Sequence, residues 1–192
     1  IVNKVINPLF HPSFSSKDIV TCSLNIGNIN ITIVSVYLPP QRDKDGNLVD
    51  INSHLELLNN VTRSFRNVLV LGDMNSHSYA WGSEKDDQRS TQLLNLFDEL
   101  ELNLLNTGSE PTFFAIRGAT TLKSVIDLSL ASTNILSLIE EWKVGDELVL
   151  SDHRPILIEL RTTHPKSSIN NTTRKYHTKD VNWSSFDRSI AS

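Results

Sequence analysis

The sequence predicts a layered α/β (α+β) fold around a central sheet, and three observations carry that expectation. A short, continuous apolar run, Val68-Leu69-Val70-Leu71, has the pattern of a strand covered on both faces. Apolar residues recur at helical spacing on either side of it. Runs rich in β-branched residues stand towards both ends of the chain, where they read as further strands.

Taken in order, Asp18 to Ile26 (DIVTCSLNI) and Ile31 to Leu38 (ITIVSVYL) are two such runs split by Gly27-Asn28-Ile29-Asn30, the pattern of a hairpin. Pro39-Pro40 ends the second run, because proline has no N–H to give a ladder. Residues 49–65 carry Val49, Leu55, Leu58, Val61 and Phe65 in an approximate helical stripe. The Val68–Leu71 strand then ends at Gly72-Asp73. Over residues 90–102, Leu93, Leu94, Phe97 and Leu100 repeat at helical spacing, with Ser90 as the expected N-cap. Strands are expected at Thr112 to Ile116, Ser124 to Ala131 and Pro155 to Leu160. From about Thr163 the composition turns to His, Pro, Lys, Ser, Asn and Thr, so 1–162 reads as the folded domain and 163–192 as a linker.

At 192 residues the chain is long enough for one substantial core and short for two. No apolar run is long enough to span a bilayer, so no membrane partner is expected, and the N-terminus lacks a signal-peptide layout. The single cysteine, Cys22, excludes an intrachain disulfide framework and a cysteine-rich zinc site. It sits in a strand pattern, reads as a structural thiol and fits an intracellular, reducing compartment. The net charge of −4 argues against a mainly electrostatic grip on DNA. A carboxylate-rich site completed by a cation is still compatible with that charge.

Four polar clusters stand at strand ends or within strands, where a rigid sheet presents functional groups. Gly72-Asp73-Met74-Asn75 follows the buried run and delivers an acid and an amide two residues apart; the alternative is an Asp-containing turn. Ser151-Asp152-His153-Arg154-Pro155 offers a carboxylate beside an imidazole, or else a solvated turn. Asp127, expected mid-strand in SVIDLSL, needs a partner for its charge, and a histidine or a structural ion pair would serve. Tyr37 ends the ITIVSVYL run, as a phosphate donor or a rim tyrosine.

In this order, Tyr37-Leu38-Pro39, Gly72-Asp73-Met74-Asn75, Asp127 and Ser151-Asp152-His153 resemble the landmarks of the exonuclease–endonuclease–phosphatase superfamily. GDMNSHSYAWGS, DDQRSTQLLNLFDELELNLLNTG, EPTFF, SVIDLSLAS, EEWKV and SDHRPI are closer still to the endonuclease domains of non-LTR retrotransposons. The resemblance implies a four-layer sandwich of two packed mixed β-sheets flanked by helices. It implies a nuclear, metal-dependent endonuclease that nicks DNA and leaves a 3′-hydroxyl for a downstream reverse transcriptase. Mg²⁺ (or Mn²⁺) is the implied cofactor, and DNA and that reverse transcriptase are the implied partners. Tyr176 to Phe186 is similar to the segment that connects the two domains.

Carried over by position, the resemblance makes Asp73, Asn75, Asp127, His153 and Tyr37 catalytic. Asp73 would handle a proton, Asn75 would hold the attacked phosphate and His153 would bind a phosphate oxygen or move a proton. Asp127 would orient His153, and Tyr37 would touch the scissile phosphate. Asp152 and Asp73 would sit at the divalent ion, while Thr112, Phe113 and Ser124 would lie near the DNA. His77 and Trp81 are given a structural role first. The family places a metal-binding Glu in strands well before its Tyr-x-Pro motif. No Glu occurs among the thirty-six residues ahead of Tyr37, so the fold is expected to lack its first strands here and the fragment's own activity to be in question. A phosphatase of the same fold acting on small phosphoesters, and a non-catalytic binding remnant, are the competing readings.

Overall fold

The computed structural model describes residues 7–145 and 151–161. Its centre is a six-stranded mixed sheet of β1 (Leu9–Phe10), β2 (Ile19–Ile26), β3 (Ile29–Tyr37), β4 (Val68–Asp73), β8 (Asp127–Ser132) and β5 (Leu102–Leu104), in that spatial order. Two helices, α1 (Asn52–Ser64) and α2 (Gln88–Glu99), fill the connections on either side of β4. Two antiparallel pairs, β6 (Phe113–Arg117) with β7 (Thr120–Ser124) and β9 (Ile139–Val144) with β10 (Ile156–Leu160), and three short 3-10 helices complete the described fold.

The apolar run at β4 is central for the reason its sequence suggests. Side chains alternate across a strand, so Val68 and Val70 join Leu58, Val61, Leu93 and Phe97 beneath the helices, whereas Leu69 and Leu71 meet Trp142, Ile158 and Leu160 of the β9–β10 sheet. One face of the central sheet is thus covered by helices and the other by a second sheet. β3 runs parallel to β4, and β8 runs antiparallel to it.

Several sequence expectations shift. The hairpin loop is tighter than expected: Ile26 pairs with Ile29, and Gly27 at φ +62° takes the first central position, which primed turns favour as glycine. Val49 lies outside α1, bonded through its N–H to the Gln41 carbonyl. The N-cap of α2 is Asp87, whose carboxylate accepts the Ser90 N–H at 2.9 Å, so Ser90 is already inside the helix. The expected 124–131 strand is broken into β7 and β8, because Ile126 and Asp127 turn their N–H groups to the Thr112 hydroxyl. Asp127 therefore opens β8 instead of sitting mid-strand. Strands β1, β5, β7 and β9 had no clear signal of their own. The linker at 163–192, with Tyr176 to Phe186, lies outside the described residues.

Candidate active site

Strand register assembles the site. Tyr37 is the partner of Asp73 across β3 and β4, and Asp73 is the partner of Asp127 across β4 and β8. Directly paired residues project to the same face, so the three side chains form a row at one end of the sheet, on the face covered by β9–β10. The segment leading into β10 runs over this end and brings His153 onto the row. Its Nδ1 lies 3.0 Å from both carboxylate oxygens of Asp127. A carboxylate only accepts, so Nδ1 carries the proton and the ring presents Nε2 outward.

His153 is held from three directions. Its ring packs edge-on to Phe113 at 5.1 Å. Its backbone bridges to Phe113, and Phe114 N–H donates to the Asp152 carbonyl at 2.7 Å. Arg154 N–H donates to the Thr112 carbonyl at 2.7 Å, while the Arg154 guanidinium bonds Gly145 and Pro111 carbonyls and the Glu110 carboxylate.

The Gly-Asp-x-Asn segment explains itself residue by residue. Gly72 passes so close to β3 that a Cβ would fall 1.8 Å from the Val36 carbonyl oxygen. Met74 is wholly buried and anchors the exit from β4. Asn75 then adopts φ +44°, a left-handed conformation that asparagine tolerates. This turn folds it back on Asp73: its N–H donates to Oδ1 at 2.9 Å and its amide to Oδ2 at 3.0 Å. The same amide donates to the Leu38 carbonyl at 2.8 Å, tying the exit of β3 to that of β4. Burial pushes the Asp73 carboxyl above its ordinary value and the neighbouring Asp127 charge adds to this, against the Asn75 N–H, His153 and Arg89.

The remaining expected residues divide. Tyr37 is half-exposed at the rim, free to offer its hydroxyl outward. Phe113 is partly buried against His153, and Ser124 is partly exposed at the end of β7. Thr112 is corrected: it is 0% exposed, and its hydroxyl accepts Ile126 N–H at 3.1 Å and Asp127 N–H at 3.0 Å, so it positions Asp127 and touches no substrate. Asp152 is exposed, with Arg117 3.7 Å from its carboxylate. Trp81 is buried and donates to the Ser76 carbonyl, a structural role as expected.

Arg89 was missed. It lies in the first turn of α2, is 5% exposed, and one guanidinium nitrogen donates to the carbonyls of Pro39, Met74 and Asn75 at 2.6, 3.3 and 3.2 Å. A lone arginine in a helix carries no periodic signal. Its only hint was its place in the same motif-rich stretch as the acids.

A mixed-sheet α/β sandwich with this row at one sheet end has the nuclease fold of the exonuclease–endonuclease–phosphatase superfamily. A family model described as "Endonuclease-reverse transcriptase" matches residues 31–157, and the chain belongs to that family. The solved endonuclease domain of TRAS1, a telomere-specific non-LTR retrotransposon, is similar at a TM-score of 0.75 and 31% identity, over 85% of this chain and 73% of that one. A 3′-5′ exonuclease from Neisseria meningitidis shares the fold at a TM-score of 0.58 and 18% identity, over 80% and 71% of the two chains. An AP endonuclease from Archaeoglobus fulgidus does so at 0.57 and 14%, over 82% and 73%. A comparison with curated proteins gave no match.

Proposed function

We propose that this chain carries a DNA endonuclease that nicks one strand by phosphodiester hydrolysis and leaves a 3′-hydroxyl able to prime reverse transcription in the nucleus. The observation that supports this most is the single row of Tyr37, Asp73 and Asp127 across three adjacent strands, with His153 bonded to Asp127.

In this reading a water oxygen attacks phosphorus, the bond to the 3′-oxygen breaks, and the departing 3′-oxygen takes a proton from solvent to become the hydroxyl. Asp73, ionised and held by Asn75, takes the proton from the attacking water. His153 presents Nε2 to a phosphate oxygen, and the Asp127 carboxylate stabilises the ring when it is charged. The Tyr37 hydroxyl, on the same face, donates to another phosphate oxygen. Donors fixed before the substrate arrives need no reorganisation as charge develops.

A divalent ion belongs to the proposal by donor chemistry. Among the described residues no group of three or more His, Cys, Asp or Glu side chains converges on one point. Mg²⁺ is commonly held by only one or two carboxylates and keeps several waters. Asp73 and Asp152 are the oxygen donors that would hold it, the latter paired only weakly with the exposed Arg117. When bound, the ion would neutralise charge on the phosphate and the leaving oxygen.

The test is relaxation of a supercoiled plasmid, with and without Mg²⁺, beside release of phosphate from a small phosphoester. Asp73→Ala and His153→Ala should each slow nicking by about 10²–10⁴-fold, the range of one general acid–base group. Unchanged nicking in either variant, or activity confined to the small phosphoester, would refute the assignment.

A further inference from the structure

Beside the row, between the exit of β4 and the end of β7, lies an open cavity of about 400 Å³ whose lining includes His77, Lys85, Lys123 and Ser124. We propose that it is a second phosphate subsite, taking a backbone phosphate of the bound DNA strand other than the scissile one. The proposal rests on the endonuclease reading and extends it to residues outside the catalytic row.

Two of the walls are closely packed. Gly82 lies against the 108–109 backbone, where a Cβ would fall 2.2 Å from the Gly108 carbonyl oxygen. Ser83 is buried and donates to the Val125 carbonyl at 3.2 Å, fixing the floor to the segment that enters β8. His77 is held by Asp87, which accepts its N–H at 2.6 Å and sits 3.3 Å from its Nδ1. Asp87 also accepts the Ser76 hydroxyl and caps α2. The imidazole is therefore oriented as His153 is oriented by Asp127. Nδ1 faces a carboxylate, and Nε2 has no protein partner among the described residues.

The chemistry of the lining suits an oxyanion. Lys85 and Lys123 are exposed and bring two positive charges to a lining that also holds Glu84, while the nearby Asp86 carboxylate is taken up by Ser78 and Tyr79 and that of Asp87 by Ser76, His77 and Ser90. Lys123 is steadied over the Phe114 ring at 5.4 Å. The two ammonium groups put phosphate donors at the mouth of the cavity on a chain whose net charge is −4. The cavity also adjoins the site through the chain itself. His77 follows Asn75 by two residues, and Ser124 pairs with Phe113, which packs on His153. A strand whose scissile phosphate lies at Asp73 and His153 would pass this cavity at a neighbouring phosphate.

Equilibrium binding of a short DNA duplex to the full chain, followed by fluorescence anisotropy across a salt series, tests this without cleavage. Lys85→Ala with Lys123→Ala should weaken binding about ten-fold and lower the slope of log Kd against log salt by about two, one for each lysine that meets a phosphate. His77→Gln should weaken it further, and Lys143→Ala, on β9 and ion-paired with Glu141 outside the cavity lining, should leave it unchanged. The two lysines are exposed, so the double variant keeps its fold. An unchanged slope and Kd in that double variant would overturn the subsite. Plasmid nicking is scored separately: a subsite that binds DNA on a chain that never nicks would sink the endonuclease reading and leave this one standing.

Discussion

Asp73 is held at odds with its own charge. It is half-buried, faces Asp127 across one register step, and its carboxyl is raised by both. A carboxyl raised in the folded state binds its proton more tightly folded than unfolded. Folding is therefore favoured below the folded value, and that advantage is lost as pH rises through the window above about 3.9, the unfolded value. Asp73→Asn removes the titration, so its Tm relative to the parent should climb as pH is raised from about 4 to about 7. A difference in Tm that stays flat across that range would show that the carboxyl is not strained. Asp87 behaves oppositely. Burial alone would raise it, but bonds from His77, Ser76 and Ser90 hold it below the usual carboxylate range, so its contribution survives down to acid pH. Thr112 acts at the same scale, through two backbone donors. Thr112→Val would leave Ile126 and Asp127 N–H groups buried without an acceptor, at about 1–3 kcal/mol each, whereas Thr112→Ser restores the oxygen. The valine variant should lose kcat by up to about 10²-fold through misplacement of Asp127, with KM little changed. Equal loss in the serine variant would point to lost packing instead.

The elements show which parts of the site could be read in advance. β4 was legible because burial on both faces leaves a continuous apolar run, and its terminal Gly-Asp-x-Asn stood out for that reason. Tyr37 was legible from the prolines that stop β3. The split of the 124–131 run was not, because Val125 and Ile126 are as apolar and β-branched as any strand residues. What breaks the strand is a hydroxyl arriving from residue 112, and no local pattern contains it. The α2 cap was misplaced for a related reason. Ser90 and Asp87 are both good caps by type, and the bonds from Ser76 and His77 help to fix Asp87 in place. At Gly72 the approach of β3 to β4 leaves no room for a side chain, since a Cβ would also fall 2.7 Å from the Val36 carbonyl carbon. Gly72→Ala should therefore separate β3 from β4 and destabilise the fold by at least about 4 kcal/mol, in the range reserved for severe core lesions. A soluble variant melting cooperatively within a few degrees of the parent would contradict that geometry.

At the scale of the whole molecule the candidate site is a joint between two sheets. The central sheet supplies Tyr37, Asp73 and Asp127, and the lead into the β9–β10 sheet supplies His153. The 3.0 Å contact between His153 and Asp127 therefore depends on how the sheets dock, through Trp142, Ile158 and Leu160 against Leu69 and Leu71. Apart from Arg89 at the start of α2, which bonds the Pro39, Met74 and Asn75 carbonyls, the helical face holds the same sheet together away from that joint. Stability and activity should consequently separate by face. Val61 on α1 is wholly buried among the helix-side residues, and its truncation to Ala should cost about 1.5–3 kcal/mol. Ile158 is only partly buried between the sheets, so Ile158→Ala should cost less. The order of activities should be reversed. Measured well below either Tm, nicking per folded molecule should stay near the parent rate in Val61→Ala. It should fall several-fold in Ile158→Ala, where β10 no longer holds His153 at its distance. If both variants lose activity only in proportion to lost stability, the docking of the sheets does not set the geometry of the row.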